Sequence, residues 1–226
     1  MHIVRTFGQR LHRKTVAYLF SVDLFFIAAT AVTGVFAAIG MMETIPAILN
    51  IGRDWSAPET FNYLKWLAIA SVFLLAYLRQ GKSIYAVLSA IFLILMLDDS
   101  LEVHEQVGTL ASVALVQHEG YRDIAQIVYW LILAASFLFL LRQTLPRTSR
   151  AVREQLTPML VPFAGLAFFG VFVDFLHSFA EVGSVGAGLF ILIEDGAELL
   201  LISCLLAYAV NQFAFAAAEA KQTDDI

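Results

Sequence analysis

A single cysteine, Cys204, stands among 226 residues, so no intramolecular disulfide supports the fold. Set in the middle of an apolar stretch, it reads as a small buried thiol. Charge is scarce as well: 15% of the residues are Asp, Glu, Lys or Arg, with a net charge of −5. That balance argues against a nucleic-acid partner. No His-Glu-x-x-His motif and no array of histidine boxes occurs, which sets aside those two kinds of membrane metalloenzyme. No polar stretch is long enough to bury a core of its own.

What the chain has in abundance is apolar sequence. Hydrophobic residues make up 60% of it and the mean hydropathy is +0.78. They come in long blocks, as in a multi-span membrane protein. Six spans are expected, at about 15–40, 61–79, 83–106, 123–142, 157–181 and 186–211, forming one all-α membrane domain over 1–226. The basic start followed by "VAYLFSVDLFFIAATA" also has the form of a signal peptide cleaved near Ala31. The apolar run continues about ten residues too far for that, and Asp23 is out of place in such a segment.

The cations set the orientation. Arg5, Arg10, Arg13, Lys14, Arg79, Lys82, Arg142, Arg147, Arg150, Arg153 and Lys221 fall on one side of a six-span chain. Arg53, Lys65 and Arg122 remain for the other. Both termini are therefore expected in the cytoplasm of a bacterial inner membrane.

Against this apolar background, "MLDDSLEVHEQ" (96–106) gathers Asp98, Asp99, Glu102, His104 and Glu105 with no Lys or Arg among them. "VDFLHSFAE" adds Asp174, His177 and Glu181, and "ILIEDGAELL" adds Glu194, Asp195 and Glu198. At 1.5 Å per residue, Asp98 and Asp174 lie about 22 Å from the cytoplasmic ends of their spans. Glu194 and Glu198 lie roughly 12 and 18 Å below the outer surface. The estimates place three sets of carboxylates in the middle and outer half of a hydrocarbon core about 30 Å thick. Helical periodicity puts Asp98, Glu102 and Glu105 on one face, and Asp174, His177 and Glu181 on another. In a regular helix His104 points away from its neighbours.

Nine carboxylates and two histidines in one apolar layer need shared protons or bound cations. Carboxylates with one or two imidazoles suit iron, manganese or zinc, and carboxylates without imidazole suit calcium, so the two histidines favour the first three ions over calcium. The bland reading is that some of these groups, Glu105 and Glu181 above all, are ordinary solvated helix ends. Asp23 falls on the cytoplasmic side of the layer, bonded to a neighbour such as Ser21 or solvated. Lys65 is expected to snorkel outward. His118, Glu119 and Asp123 read as an exposed outer loop, and Trp55, Tyr63, Trp66, Tyr121 and Tyr129 as an interfacial belt.

"ILMLDDSLE" and "LFILIEDGAE" share a pattern 96 residues apart, suggesting an inverted repeat. The same stretches resemble uncharacterised bacterial multi-span membrane proteins: an apolar run with Asp98 and Asp99, then His104 and Glu105, then a late run with Glu194, Asp195 and Glu198. The resemblance implies a shared site and no particular activity. The Glu-x-x-His of di-iron bundles occurs once, as the variant Asp174-Phe-Leu-His177.

Three functions compete. A metal-dependent membrane hydrolase or oxidoreductase would use one or two metals in the acidic layer, acting on a lipid or small periplasmic substrate. A metal-ion or proton-coupled cation transporter would use the same acids on Gly-interrupted helices. A non-catalytic, metal-stabilised membrane subunit is the third.

Overall fold

The computed structural model describes residues 13–114, 120–177, 179–181 and 184–215. All regular structure among them is helical. Helix α1 (Arg13–Ala38) turns out at Gly40, whose φ of 76° suits a residue without Cβ. Helix α2 (Ala57–Gln80) starts behind Ser56, whose Oγ accepts the Glu59 amide, and stops at Gly81 (φ 63°). Helices α3 (Ser83–Leu101) and α4 (Val103–Ala114) follow, then α5 (Gly120–Thr144).

Two proline-containing 3-10 turns, Leu145–Arg147 and Thr157–Met159, flank the short α6 (Arg150–Leu156). Helix α7 (Leu160–Ala167) then widens into a π-helical stretch, Phe168–Val173, before α8 (Asp174–His177). Last comes α9 (Val185–Ala209), capped by Ser184 Oγ, with a π-helical end at Val210–Phe215.

Among the described residues five stretches are long and apolar enough to cross a membrane: Lys14–Ala38, Ala57–Gln80, Ser83–Leu101, Ile124–Arg147 and Arg150–His177. Helix α9 is as long, at 25 residues, but carries Glu194, Asp195 and Glu198 near its middle. Exposed side chains agree with a lipid setting. Leu131, Ile132, Leu138 and Phe139 on α5 are each more than 60% exposed, a pattern that favours acyl chains over water.

Contacts divide the chain into two units, one running to Lys65 and resuming at Leu156, the other Trp66–Gln155. In the second unit α2 and α3 pack through aromatic rings. Phe73 and Phe92 stack at 5.7 Å and Ser89 Oγ donates to the Ala70 carbonyl. Trp66, expected in an outer belt, is 6% exposed, its ring 5.7 Å from that of Phe92. In the first unit Tyr63, expected in the same belt, is also 6% exposed, edge-on to Trp55 at 5.4 Å. Trp55 and Tyr121 are exposed.

In the first unit α9 packs against α1, with Leu199, Ile202 and Leu205 fully buried. Here two expectations are corrected. Asp23 is not solvated and does not bond Ser21, whose hydroxyl donates to the Ala17 carbonyl instead. Lys65 does not snorkel: it is 2% exposed and Asp23 0%. Lys65 Nζ donates to Asp23 Oδ1 at 3.0 Å, to the Leu199 carbonyl at 2.8 Å and to Ser203 Oγ at 3.2 Å. Ser203 Oγ donates in turn to Asp23 Oδ2 at 2.5 Å. The Phe61 ring, one turn before Lys65, lies 5.0 Å from the ammonium. Each charge cancels the burial cost of the other, which neither could escape alone in an apolar bundle.

Candidate metal centre

The π-helical stretch Phe168–Val173 inserts an extra residue per turn just ahead of Asp174, re-aiming the side chains that follow. The helix stops at His177, and the amides of Phe179 and Ala180 close on the carbonyls of Leu176 and His177. After the turn, the Ser184 cap starts α9, which runs back past the same place. Glu194 thereby meets His177, with Nδ1 3.3 Å from Oε2. One turn earlier on α9, Phe190 stacks on the imidazole at 5.8 Å and 14°.

One ligand atom each from Asp174, His177 and Glu194 lies within 4.8 Å of the other two. Ligand atoms bound to one ion at about 2.0–2.2 Å stand roughly 3.3–3.6 Å apart in a tetrahedral site, so such a set would have to draw in by up to about 1–1.5 Å to hold one. Asp174 is exposed and the other two are half-buried, so one side of the cluster stays open. The carboxyls of Asp174 and Glu194 are within hydrogen-bonding reach of each other. Two carboxylates at that range repel unless a proton or a cation lies between them.

The other late acids divide. Glu198, one turn beyond Glu194, lies against Gly170, where a Cβ would collide with its Oε1. Asp195 faces elsewhere, its Oδ2 3.0 Å from where a Gly52 Cβ would stand. Thr30 pins that loop, its Oγ1 donating to the Leu49 carbonyl and accepting the Ile51 amide. Glu181 is exposed in the connection between α8 and α9, beyond the helix on which sequence periodicity places it.

In the other unit the expected regular helix over 83–106 is broken. Glu102 takes the left-handed conformation (φ 52°), ending α3 at Leu101 and restarting the chain as α4. The break turns His104 back, so that its Nδ1 lies 3.0 Å from Asp98 Oδ2. The expectation that His104 points away fails for this reason, and so does the shared face of Asp98, Glu102 and Glu105.

Tyr129, expected at the interface, donates its hydroxyl to Asp98 Oδ1 at 2.6 Å. The available signal was a phenol within an apolar span, which needs a partner when buried. Glu105 pairs with Arg122 at 2.9 Å, both partly exposed. Gly108 lets α4 approach α5 closely there, where a Cβ would meet Gln126 and the Arg122 carbonyl. Asp99 contributes its backbone carbonyl to the amide of Glu102. The two echoing motifs thus differ locally: Asp98–Glu102 ends a helix, while Glu194–Glu198 lies inside one. His118, Glu119 and the side chain of Asp123 lie outside the described residues.

No curated protein and no solved structure matches the chain. Residues 24–211, which include all eleven candidate residues, match a family described as a domain of unknown function, DUF8692. That stretch is most of the chain, and the protein belongs to the DUF8692 family.

Proposed function

We propose that this protein is a metal-dependent membrane enzyme, a hydrolase or oxidoreductase, with a divalent ion held by Asp174, His177 and Glu194. The observation that carries this is the convergence of three ligand atoms within 4.8 Å, one side of the set being open. Three protein ligands leave coordination positions for water and substrate, whereas structural sites are closed by a fourth. One imidazole with two carboxylates favours iron, manganese or zinc over calcium. A bound ion of this kind supplies Lewis acidity and an activated water or, if iron, oxygen chemistry. Phe190 fixes the ring plane of His177, and the polypeptide around Glu194 orients its carboxylate toward the same point.

In this reading α9 is a sixth span despite its three acids, because the acids face partners in the bundle: Glu194 faces His177, Glu198 faces Gly170 and Asp195 faces Gly52. An even span count, with eleven of fourteen cations on one side, puts both termini in the cytoplasm. The centre then opens toward the outer leaflet of a bacterial cytoplasmic membrane, within reach of a lipid or a small periplasmic substrate. Elemental analysis of purified protein is the test. Stoichiometric iron, manganese or zinc that disappears in His177→Ala and in Glu194→Ala supports the reading, and metal-free wild-type protein after growth in supplemented medium sinks it.

A second reading, a cation transporter, draws on the helix interruption at Phe168–Val173 directly before Asp174. Metal- or proton-driven flux in liposomes would favour it over the enzyme.

A further inference from the structure

The second unit holds a group of titratable side chains that the metal centre does not use. Asp98 is 2% exposed, and both of its carboxylate oxygens are engaged, Oδ1 by the Tyr129 hydroxyl at 2.6 Å and Oδ2 by His104 Nδ1 at 3.0 Å. Trp130 packs against the imidazole with ring centres 5.4 Å apart. One edge of the ring is therefore held by a buried carboxylate and one face by an indole, while the His104 side chain is still 24% exposed. Neither of these two contacts uses Nε2, on the other side of the ring.

The hydrogen bonds constrain the protons. A phenol beside a carboxylate donates, which makes Oδ1 an acceptor and suits an ionised Asp98. An ionised Asp98 in turn requires Nδ1 to be the donor, and the lone pair of the neutral ring then sits on Nε2. We infer that His104 is an acid–base residue that takes a proton at Nε2 from a polar ligand, a water, hydroxyl or ammonium group, with Asp98 as its positioning residue. The ligand's O–H or N–H bond breaks as the Nε2–H bond forms. The other proton stays on Nδ1, hydrogen-bonded to Asp98, throughout, and the resulting imidazolium is balanced by the Asp98 carboxylate until the Nε2 proton returns. The other charged groups nearby are Asp99 and Glu105, the latter already bound to Arg122 of α5. No metal is needed, so this site stands or falls apart from the Asp174–His177–Glu194 cluster.

The test is 15N NMR of the intact, histidine-labelled protein in detergent with chelator present, above the imidazole titration, using His104→Gln to assign the signal. The expected neutral ring carries its proton on Nδ1. Tyr129→Phe should keep that tautomer and Asp98→Asn should move the proton to Nε2. As a second readout, diethyl pyrocarbonate acylates the unprotonated ring nitrogen. Mass spectrometry should show His104 modified in the wild type and severalfold more slowly in Asp98→Asn. A wild-type ring protonated on Nε2 overturns the inference even if every variant fails to fold, and so does an equal acylation rate in folded Asp98→Asn.

Discussion

Exchange of Lys65 for methionine keeps most of the side-chain stem and deletes Nζ with its three hydrogen bonds. The Asp23–Lys65 separation of 3.0 Å corresponds to about 5–6 kcal/mol of attraction at an effective dielectric constant of ~20. Desolvation of the two ions, several kcal/mol each, offsets that gain, so the intact pair contributes little net stability. The single variant is another matter. It leaves Asp23, fully buried, with Ser203 Oγ as its remaining donor among the contacts described above. Stranding one member of a buried pair costs about 3–5 kcal/mol. At roughly 2–4 °C per kcal/mol for a chain of this size, Tm should fall by about 6–20 °C.

Asp23→Leu combined with Lys65→Met removes both charges and should recover most of that loss, since apolar replacement of a whole buried pair is often neutral or better. Thermal melts in detergent, run alongside metal analysis, decide the matter. The reasoning is refuted if Lys65→Met melts within about 1–2 °C of the wild type, or if the double variant is less stable than the single one.

Four further outcomes are expected. Metal content should collapse in His177→Ala and Glu194→Ala but persist in Asp98→Asn; equal content in all three would remove the Asp174–His177–Glu194 assignment. Chelation at pH 7.5 should lower Tm, since a ligand at a hundredfold excess over Kd adds about 2.7 kcal/mol to the native state. Because ligands must shed protons to bind metal, the chelator effect should shrink at pH 5.5; an effect that grows on acidification would contradict metal ligation. Gly170→Ala should cost about 1–3 kcal/mol by forcing Glu198 aside, with the cost relieved when Glu198→Ala is added, and additive melts would show that the two do not touch. Reporter fusions near Arg53 should read periplasmic and those near Arg147 cytoplasmic, and the reverse pattern would invert the topology.

The helical class and the run of apolar spans were legible in the sequence because both are local. A chain in lipid must satisfy its backbone within each helix, and a count of apolar residues finds the helices that do so. Spans α1, α2 and α5 fall within a few residues of their expected places for that reason. The segments holding the acids were equally visible, since an ionisable group stands out in an apolar run. Which acid meets which partner was not visible. Asp23 lies 42 residues from Lys65 and 180 from Ser203, and their meeting depends on how helices pack. His104 reaches Asp98 only because Glu102 adopts a left-handed conformation that no pattern in "LDDSLEVHE" announces. Periodicity extends every helix as though it were regular, and two interruptions among the described residues, at Glu102 and at Phe168–Val173, lie beside the side chains that matter. The tertiary structure decided those partners because one reversed φ or one widened turn re-aims every residue after it.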